Sequence, residues 1–342
     1  MRSPEVVVFG SLTIDNVVRA NGEVLPQSAG GNAVYAALGA RLWSDRSDSV
    51  GIVSRYGAGY PEAFIDRLAG FGIDVGGIRK VEGPHRMNVA FAYQEDGSRT
   101  RMIPSHLLET MTEADRRRFY DSSTKTDGYE VLTQFAPSGD DMPPGWWSGV
   151  RCIHCPSIPM EKMADIAAVA RRSAAPPDLW IGVDSPWHDS GRTPPPDGAH
   201  LFADIDVLAP SEQDLTNYRP GVPQETVVLD LLKQGVEALA LKRGPNGCRL
   251  YRRDVGFLRD VPAVPVDAPD PTGAGDSFCG GLMAGFRITG DFVKAALYGV
   301  VAASFCVEQS GVEGLIAVDR REAENRLAAL SRETGVVIKV DA

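Results

Sequence analysis

Short, uniformly apolar runs recur along this chain, with stretches of mixed character between them. Val6 to Phe9, Val50 to Val53, Arg151 to Cys155, Trp180 to Val183, Val207 to Ala209 and Ala238 to Leu241 are too short for helices. They lack the alternation of half-exposed strands, so they predict strands buried on both faces. Between and after them, apolar positions at helical spacing predict helices at Gly31 to Trp43, Pro61 to Phe71, Glu161 to Ser173, Glu225 to Gln234, Ala274 to Arg287 and Asp291 to Glu308. The last two are expected to close the chain. Strand–helix alternation favours right-handed crossovers and a mostly parallel sheet between two helical layers. The expected fold is a three-layer α/β/α sandwich in one domain spanning residues 1–342.

Two segments break this rhythm. Thr13 to Arg19 and Met87 to Met102 read as extended, partly polar strands, the second turning at Asp96-Gly97. They predict a small second sheet, made by about residues 12–20 and 87–103, lying as a lid on the main domain. Pro- and Gly-rich stretches at Pro137 to Gly149 and Gly191 to Gly198 read as surface loops.

Composition narrows the function classes. The chain has 342 residues, 43% hydrophobic and 23% charged, which suits a large packed core. A formal charge of -10 repels nucleic-acid backbones and anionic membranes, so neither is expected as a partner. No apolar run approaches the ~18 residues of a membrane helix, and the first residues do not resemble a secretory signal. Five cysteines are sparse and odd in number, which fits a reducing cytoplasm. Cys152-Ile153-His154-Cys155 contains a CxxC with no second pair elsewhere, and reads as a buried strand ahead of a redox or zinc site.

The segment richest in chemistry is Val266-Asp267-Ala268-Pro269-Asp270-Pro271-Thr272-Gly273-Ala274-Gly275-Asp276-Ser277-Phe278. Extended residues enter a glycine turn, and an apolar helix leaves it. Glycines let successive peptide N–H groups converge on an anion, and the helix start adds unpaired donors and partial positive charge. That is a cradle for a phosphate. Asp276, in the first helical turn, suits a helix-dipole partner or a general base that takes a hydroxyl proton. Spacing alone leaves both open.

Asp270 to Phe278, followed by Gly280-Gly281, strongly resembles the C-terminal signature of the PfkB carbohydrate kinase family, whose members are ribokinase-like. Phe9-Gly10-Ser11-Leu12-Thr13-Ile14-Asp15 and Ala29-Gly30-Gly31-Asn32-Ala33 resemble that family's first strand and di-glycine motif. The resemblance implies an ATP-dependent kinase of a sugar or sugar-like molecule. Gly273, Ala274 and Gly275 would form the anion hole, and Asp276 would be the catalytic base. Asp15, Gly30, Gly31 and Asn32 would bind substrate. Ala240 to Gly247 resembles the strand and turn beside the ATP phosphates, which puts Lys242, Gly244, Asn246 and Gly247 there with Ser211 and Thr272. Phe305 to Gly314 resembles the adenine-side helix end and loop, where Asp270 would help hold a monovalent cation such as K⁺.

The chain departs from the family where an Asn-x-x-Glu motif organises Mg²⁺. Here Ser211-Glu212-Gln213-Asp214 stands, which also has the spacing of a helix capping box. Asp214, with Glu212 as the alternative, would contribute to Mg²⁺. Asn16, Asn88, Arg99 and Arg101 in the second sheet, and His154 and Gln134 near strand ends, are further pocket candidates. A homodimer through the second sheet is expected, since an exposed strand edge invites pairing. The alternatives are a nucleoside kinase of the same family, a non-catalytic sugar-binding protein and a nicotinamide-dependent dehydrogenase. No Gly-x-x-x-x-Gly-Lys-Ser/Thr occurs, so a P-loop kinase is not expected.

Overall fold

A computed structural model describes residues 3–25, 28–94, 99–100, 103–120, 128–173, 175–185 and 202–338. The chain runs β1 (Val6–Phe9), β2 (Thr13–Val18), β3 (Ser28–Gly30), α1 (Asn32–Arg41), β4 (Val50–Ala58), α2 (Glu62–Gly70), β5 (Ile73–Pro84), β6 (Asn88–Tyr93) and β7 (Arg99–Thr100). Next come α3 (Ser105–Thr110), α4 (Glu113–Tyr120), α5 (Gly128–Phe135), β8 (Cys152–Cys155), α6 (Met160–Arg172), β9 (Trp180–Val183) and β10 (Val207–Leu208). The remainder is α7 (Glu212–Tyr218), α8 (Gln224–Lys233), β11 (Ala238–Lys242), β12 (Cys248–Arg252), β13 (Gly256–Val261), α9 (Ala274–Thr289), α10 (Phe292–Val307), α11 (Glu313–Ile316) and α12 (Arg320–Thr334).

Among the described residues, nine strands form the main sheet in the order β13-β12-β11-β10-β9-β8-β1-β4-β5. Pairing is parallel from β5 to β11, and the hairpin β12–β13 adds two antiparallel strands at one edge. Strand alternation sorts the core into two layers. Val6 and Val8, Cys152, and Ala238 and Ala240 face a cluster with α1, α9, α10 and α12. Val7 and Phe9, Ile153 and Cys155, and Leu239 and Leu241 face the α6–α8 side. Several β8, β9 and β11 residues on the α9 side are small (Cys152, Gly182, Ala240), so helices pack close there. At Gly280 a Cβ would stand 1.8 Å from the Ala36 carbonyl oxygen of α1, which only glycine permits.

The two cysteines of the CxxC are buried and unbonded, each in the core, as the strand reading expects. The expectation that two long helices close the chain needs correction, because α12 follows them. Its polar run Arg320-Arg321-Glu322 hides a narrow stripe of Ala323, Leu327 and Leu330.

A four-stranded second sheet, β3-β2-β6-β7, pairs β2 with β6 in parallel. Val18, Ala90 and Ala92 on one face pack against Ile103, Leu107, Met111 and Phe119 from α3 and α4 and the residues beside them. Asp15 shares the opposite face with Val17, Val89, Phe91 and Tyr93, since Asp15 pairs with Val89 and Val17 with Phe91. The Asp96-Gly97 turn, Arg101 and the Gly191 to Gly198 loop lie outside the described residues, as does the side chain of Arg99. Among the described residues, no helix is long and apolar enough to cross a membrane.

Candidate active site

The parallel strands end at one edge, and the sequence-derived candidates collect there. Gly273 caps α9 at φ 78° and ψ 0°, in the left-handed region, so the chain can swing from Thr272 into the helix. A Cβ on it would meet the Tyr35 ring at 2.2 Å. Ala274 and Gly275 open the helix, and Asp276 stands half-buried in its first turn. The turn is braced from behind: Asp270, buried, accepts from the Thr272 amide at 3.0 Å and the Thr272 hydroxyl at 2.6 Å. Thr272 already gives its hydroxyl hydrogen to Asp270, so Tyr93 at the end of β6 donates to Thr272 Oγ1.

Lys242, at the end of β11, brings a cation to the same place. A Cβ on Gly275 would lie 3.2 Å from its Nζ. The ammonium bonds Asp184 after β9 and lies 3.8 Å from Cys279 Sγ. Burial works against its charge, but Asp184, with Cys279 and Asp214 behind it, holds its pKa above the ordinary value. Lys242 is therefore charged at any physiological pH. Ser211 lies beside it through a parallel bridge. Gly244, Asn246 and Gly247 form the exposed-to-half-buried turn between β11 and β12.

Ser211 and Asp214 form the capping box of α7. Ser211 Oγ accepts from the Asp214 amide, and Asp214 Oδ2 accepts from the Ser211 amide at 2.8 Å and its hydroxyl at 2.6 Å. Glu212 pairs instead with Arg243 at 3.4 Å. Among the described residues, no group of three or more His, Cys, Asp or Glu is placed to hold a metal. Asp270 likewise spends one carboxylate oxygen on its own turn.

At the other end, β2 and the start of α1 meet. Asp15 Oδ1 accepts from Thr13 Oγ1 at 2.6 Å, and both residues are buried. Gly30 pairs with Thr13 across β2–β3, and a Cβ on it would stand 2.7 Å from Asp15 Oδ2. Gly31 has φ 116°, and its Cβ would lie 2.2 Å from the Ser11 carbonyl oxygen. Asn32 uses both ends of its amide on backbone, accepting from the Ser11 amide at 2.8 Å and donating to the Ser157 carbonyl at 2.9 Å. It ties the loop after β1 to the loop after β8.

Three expectations change. Asn16 and Asn88 share the sheet face of Ile14 and Ala90, opposite Asp15, because Ile14 pairs with Asn88 and Asn16 with Ala90. Asn16, buried, donates to the Val89 carbonyl at 3.3 Å. Gln134 lies on α5, exposed, and not at a strand end. His154 does sit in β8, but it is fully buried, and burial, then the charge of Lys242, pushes its pKa down to about 3.

Sequence reading missed Thr13, Tyr35, Tyr93 and Asp184. Strict alternation along β2 would have found Thr13, which must share the face of Asp15. Tyr35 links the two ends: a Cβ on Gly30 would meet its ring at 3.7 Å, as one on Gly273 would at 2.2 Å. Burial raises its phenol pKa well above the ordinary value, and Asp15 and Asp270 add to that. No local signal marks it.

The sandwich, the side sheet and the helix-start cradle at the strand ends define a ribokinase-like fold. Ribokinase from Giardia lamblia superposes with a TM-score of 0.68 at 16% identity, over 96% of this chain and 100% of that one. Ribokinase from Arabidopsis thaliana, solved with ribose and ATP, gives 0.64 at 20% identity, over 96% and 99%. A cytidine kinase from Thermococcus kodakarensis is 21% identical over 286 residues, covering 82% of this chain and 88% of that protein. The family model described as "pfkB family carbohydrate kinase" matches residues 147–317, half of the length. The chain belongs to the pfkB family of carbohydrate kinases, and is a sugar or nucleoside kinase.

Proposed function

We propose that this chain is one kinase domain that transfers the γ-phosphoryl group of ATP to a hydroxyl of a small sugar or nucleoside. Asp276 acts as general base, and the turn Gly273-Ala274-Gly275 acts as anion hole. The observation that carries this reading is the meeting of three features at the head of α9: a left-handed glycine cap, a half-buried carboxylate one residue beyond Gly275, and the Lys242 ammonium beside Gly275.

Their chemistry is complementary. Peptide N–H groups at the helix start and the Lys242 ammonium would balance the negative charge of the transferring group. Asp276 would take the proton as the acceptor oxygen forms its bond to phosphorus and ADP leaves, a role worth ~10²–10⁴ in rate. Lys242, Ser211 and Thr272 line the phosphate side. Asp15, Gly30, Gly31 and Thr13 line the acceptor side. Asn32 works one step back, by fixing the Ser11 loop.

Mg²⁺ would add charge neutralisation between phosphates. Because Asp214 is engaged in its capping box and Glu212 with Arg243, the residues present suit an ion held mainly by phosphate oxygens and water, as Mg²⁺ often is. Asp270, whose amide meets the Val307 carbonyl at 3.5 Å, would hold K⁺ together with backbone carbonyls of the Phe305 to Gly314 loop.

The second sheet is read as a lid, fastened to the catalytic turn through Tyr93 and Thr272. Its Val18–Ala90–Ala92 face is covered within the chain, so a homodimer through this sheet would use another part of it, such as the β3 or β7 edge. ADP formation from ATP with D-ribose, D-fructose or cytidine tests the reading. Turnover dependent on the acceptor is expected, and ATP use that no acceptor changes would count against it.

A further inference from the structure

The catalytic reading leaves a cluster of buried polar groups unexplained. β4 and β5 run on beyond the main sheet, paired as far as Ala58 and Pro84. His85 follows, its amide donating to the Ala58 carbonyl at 2.8 Å. The His85 ring accepts at Nδ1 from the Gly57 amide at 3.3 Å, which leaves the hydrogen on Nε2. The ring is held between Tyr60, 4.8 Å away and edge-on, and Phe135 of α5 at 5.2 Å. Residue Met87, two positions on, accepts from the Ile14 amide at 2.9 Å, next to Asp15.

Among the described residues, His85 Nε2 and the Tyr60 hydroxyl are buried with no hydrogen-bond partner. The Tyr60 and His85 residues are 4% and 7% exposed. An orphaned buried donor costs stability, and two in touching rings are a cost that plain packing would avoid with phenylalanine. Burial holds the His85 pKa near 4, so the ring is neutral at pH 7. Burial raises the Tyr60 phenol pKa, and the nearby charge of Asp15 raises it further.

We propose that Tyr60 and His85 complete, with Asp15, a subsite that recognises an uncharged, hydroxyl-bearing part of the acceptor. His85 Nε2–H donates to one hydroxyl oxygen, the Tyr60 hydroxyl bonds its neighbour, and Asp15 accepts from a hydroxyl. The groups are neutral apart from one carboxylate, so the acceptor is a neutral sugar or a nucleoside's sugar ring. A sugar acid or sugar phosphate presenting its charge here is repelled. This rests on the kinase reading for the identity of the acceptor, and on the orphaned groups for the subsite.

The test compares wild type, Tyr60→Phe, His85→Leu and His85→Gln on D-ribose, D-fructose, cytidine, gluconate and fructose 6-phosphate. ADP formation and calorimetric binding without ATP are both measured. Tyr60→Phe removes one oxygen and should raise KM for the neutral acceptor about tenfold. KM for ATP should stay within about twofold, and the melting temperature should hold or rise, because an orphaned hydroxyl is gone. His85→Gln, which keeps a donor, should retain more acceptor affinity than His85→Leu. Unchanged acceptor KM in folded Tyr60→Phe and His85→Leu overturns the subsite while leaving the kinase reading intact. Neutral probes that bind wild type, weaken in Tyr60→Phe and are never phosphorylated support the subsite and sink the kinase reading. Binding confined to gluconate or fructose 6-phosphate, or no binding of any neutral probe, overturns the subsite.

Discussion

Gly273 holds backbone angles that an L-residue adopts at a cost of about 1–2 kcal/mol, and the space its Cβ would need is filled by Tyr35. The same position opens α9, whose first amides belong to the proposed anion hole. Stability and chemistry are therefore lost together if a side chain is added. Gly273→Ala should unfold at lower urea, by more than ~1 kcal/mol, and slow phosphoryl transfer at least about a hundredfold in the folded fraction. Urea titration followed by turnover at saturating ATP checks both. A variant with wild-type stability and rate would show that neither the left-handed cap nor the Tyr35 contact matters. Lys242 acts at the same scale: its charge is secured by Asp184, so it is a fixed cation, not a proton carrier, across the working pH range.

The β8 strand illustrates how an element tunes a residue. Uniform burial hides Cys152, Ile153, His154 and Cys155 alike, and it holds the imidazole neutral down to about pH 3. The folded pKa lies below the unfolded value of ~6.5, so the unfolded chain alone gains a proton as pH falls through that window. Stability is full above pH ~6.5 and declines toward pH 3. His154 should contribute a loss of ~2 kcal/mol between pH 7 and pH 5, and His154→Leu should remove that part of the slope in urea melts at the two pH values. An unchanged slope would mean that His154 is protonated in the fold.

Elements such as β8 were legible in the sequence because two-sided burial leaves an unbroken apolar run. Where the expected strands fall on described residues they occur, and α1, α2, α6, α8, α9 and α10 fall within a few residues of their expected bounds. Harder to read were elements whose stabilisation comes from distant partners. β12 and β13 carry Arg249, Arg252 and Arg259 on an edge hairpin, and α12 shows only three buried apolar side chains in a polar run. Among the candidate and proposed site residues, those in motifs were legible because glycine turns and helix starts are local. Tyr35, Tyr60, His85, Tyr93 and Asp184 were not, since each is placed by contacts far away in sequence. Asn16 and Asn88 were misplaced for a simpler reason: a one-residue step along a strand changes the face.

At the scale of the molecule, two bodies of structure converge on one turn. The main sheet delivers Lys242, held by Asp184, and the second sheet delivers Tyr93. The Tyr93–Thr272 bond joins the second sheet to the cradle, and a further one joins Arg19, at the end of β2, to Ser310 in the loop after α10. Position of Asp276, the proposed base, then depends on the whole assembly and not on α9 alone. The most direct test of the account is Asp276→Asn, which keeps shape and hydrogen-bonding capacity but removes the proton acceptor. With any acceptor that wild type phosphorylates, single-turnover rate should fall ~10²–10⁴-fold. Calorimetric affinities for ATP and acceptor should stay within about threefold. An Asp276→Asn variant that transfers phosphate at the wild-type rate would contradict the central claim.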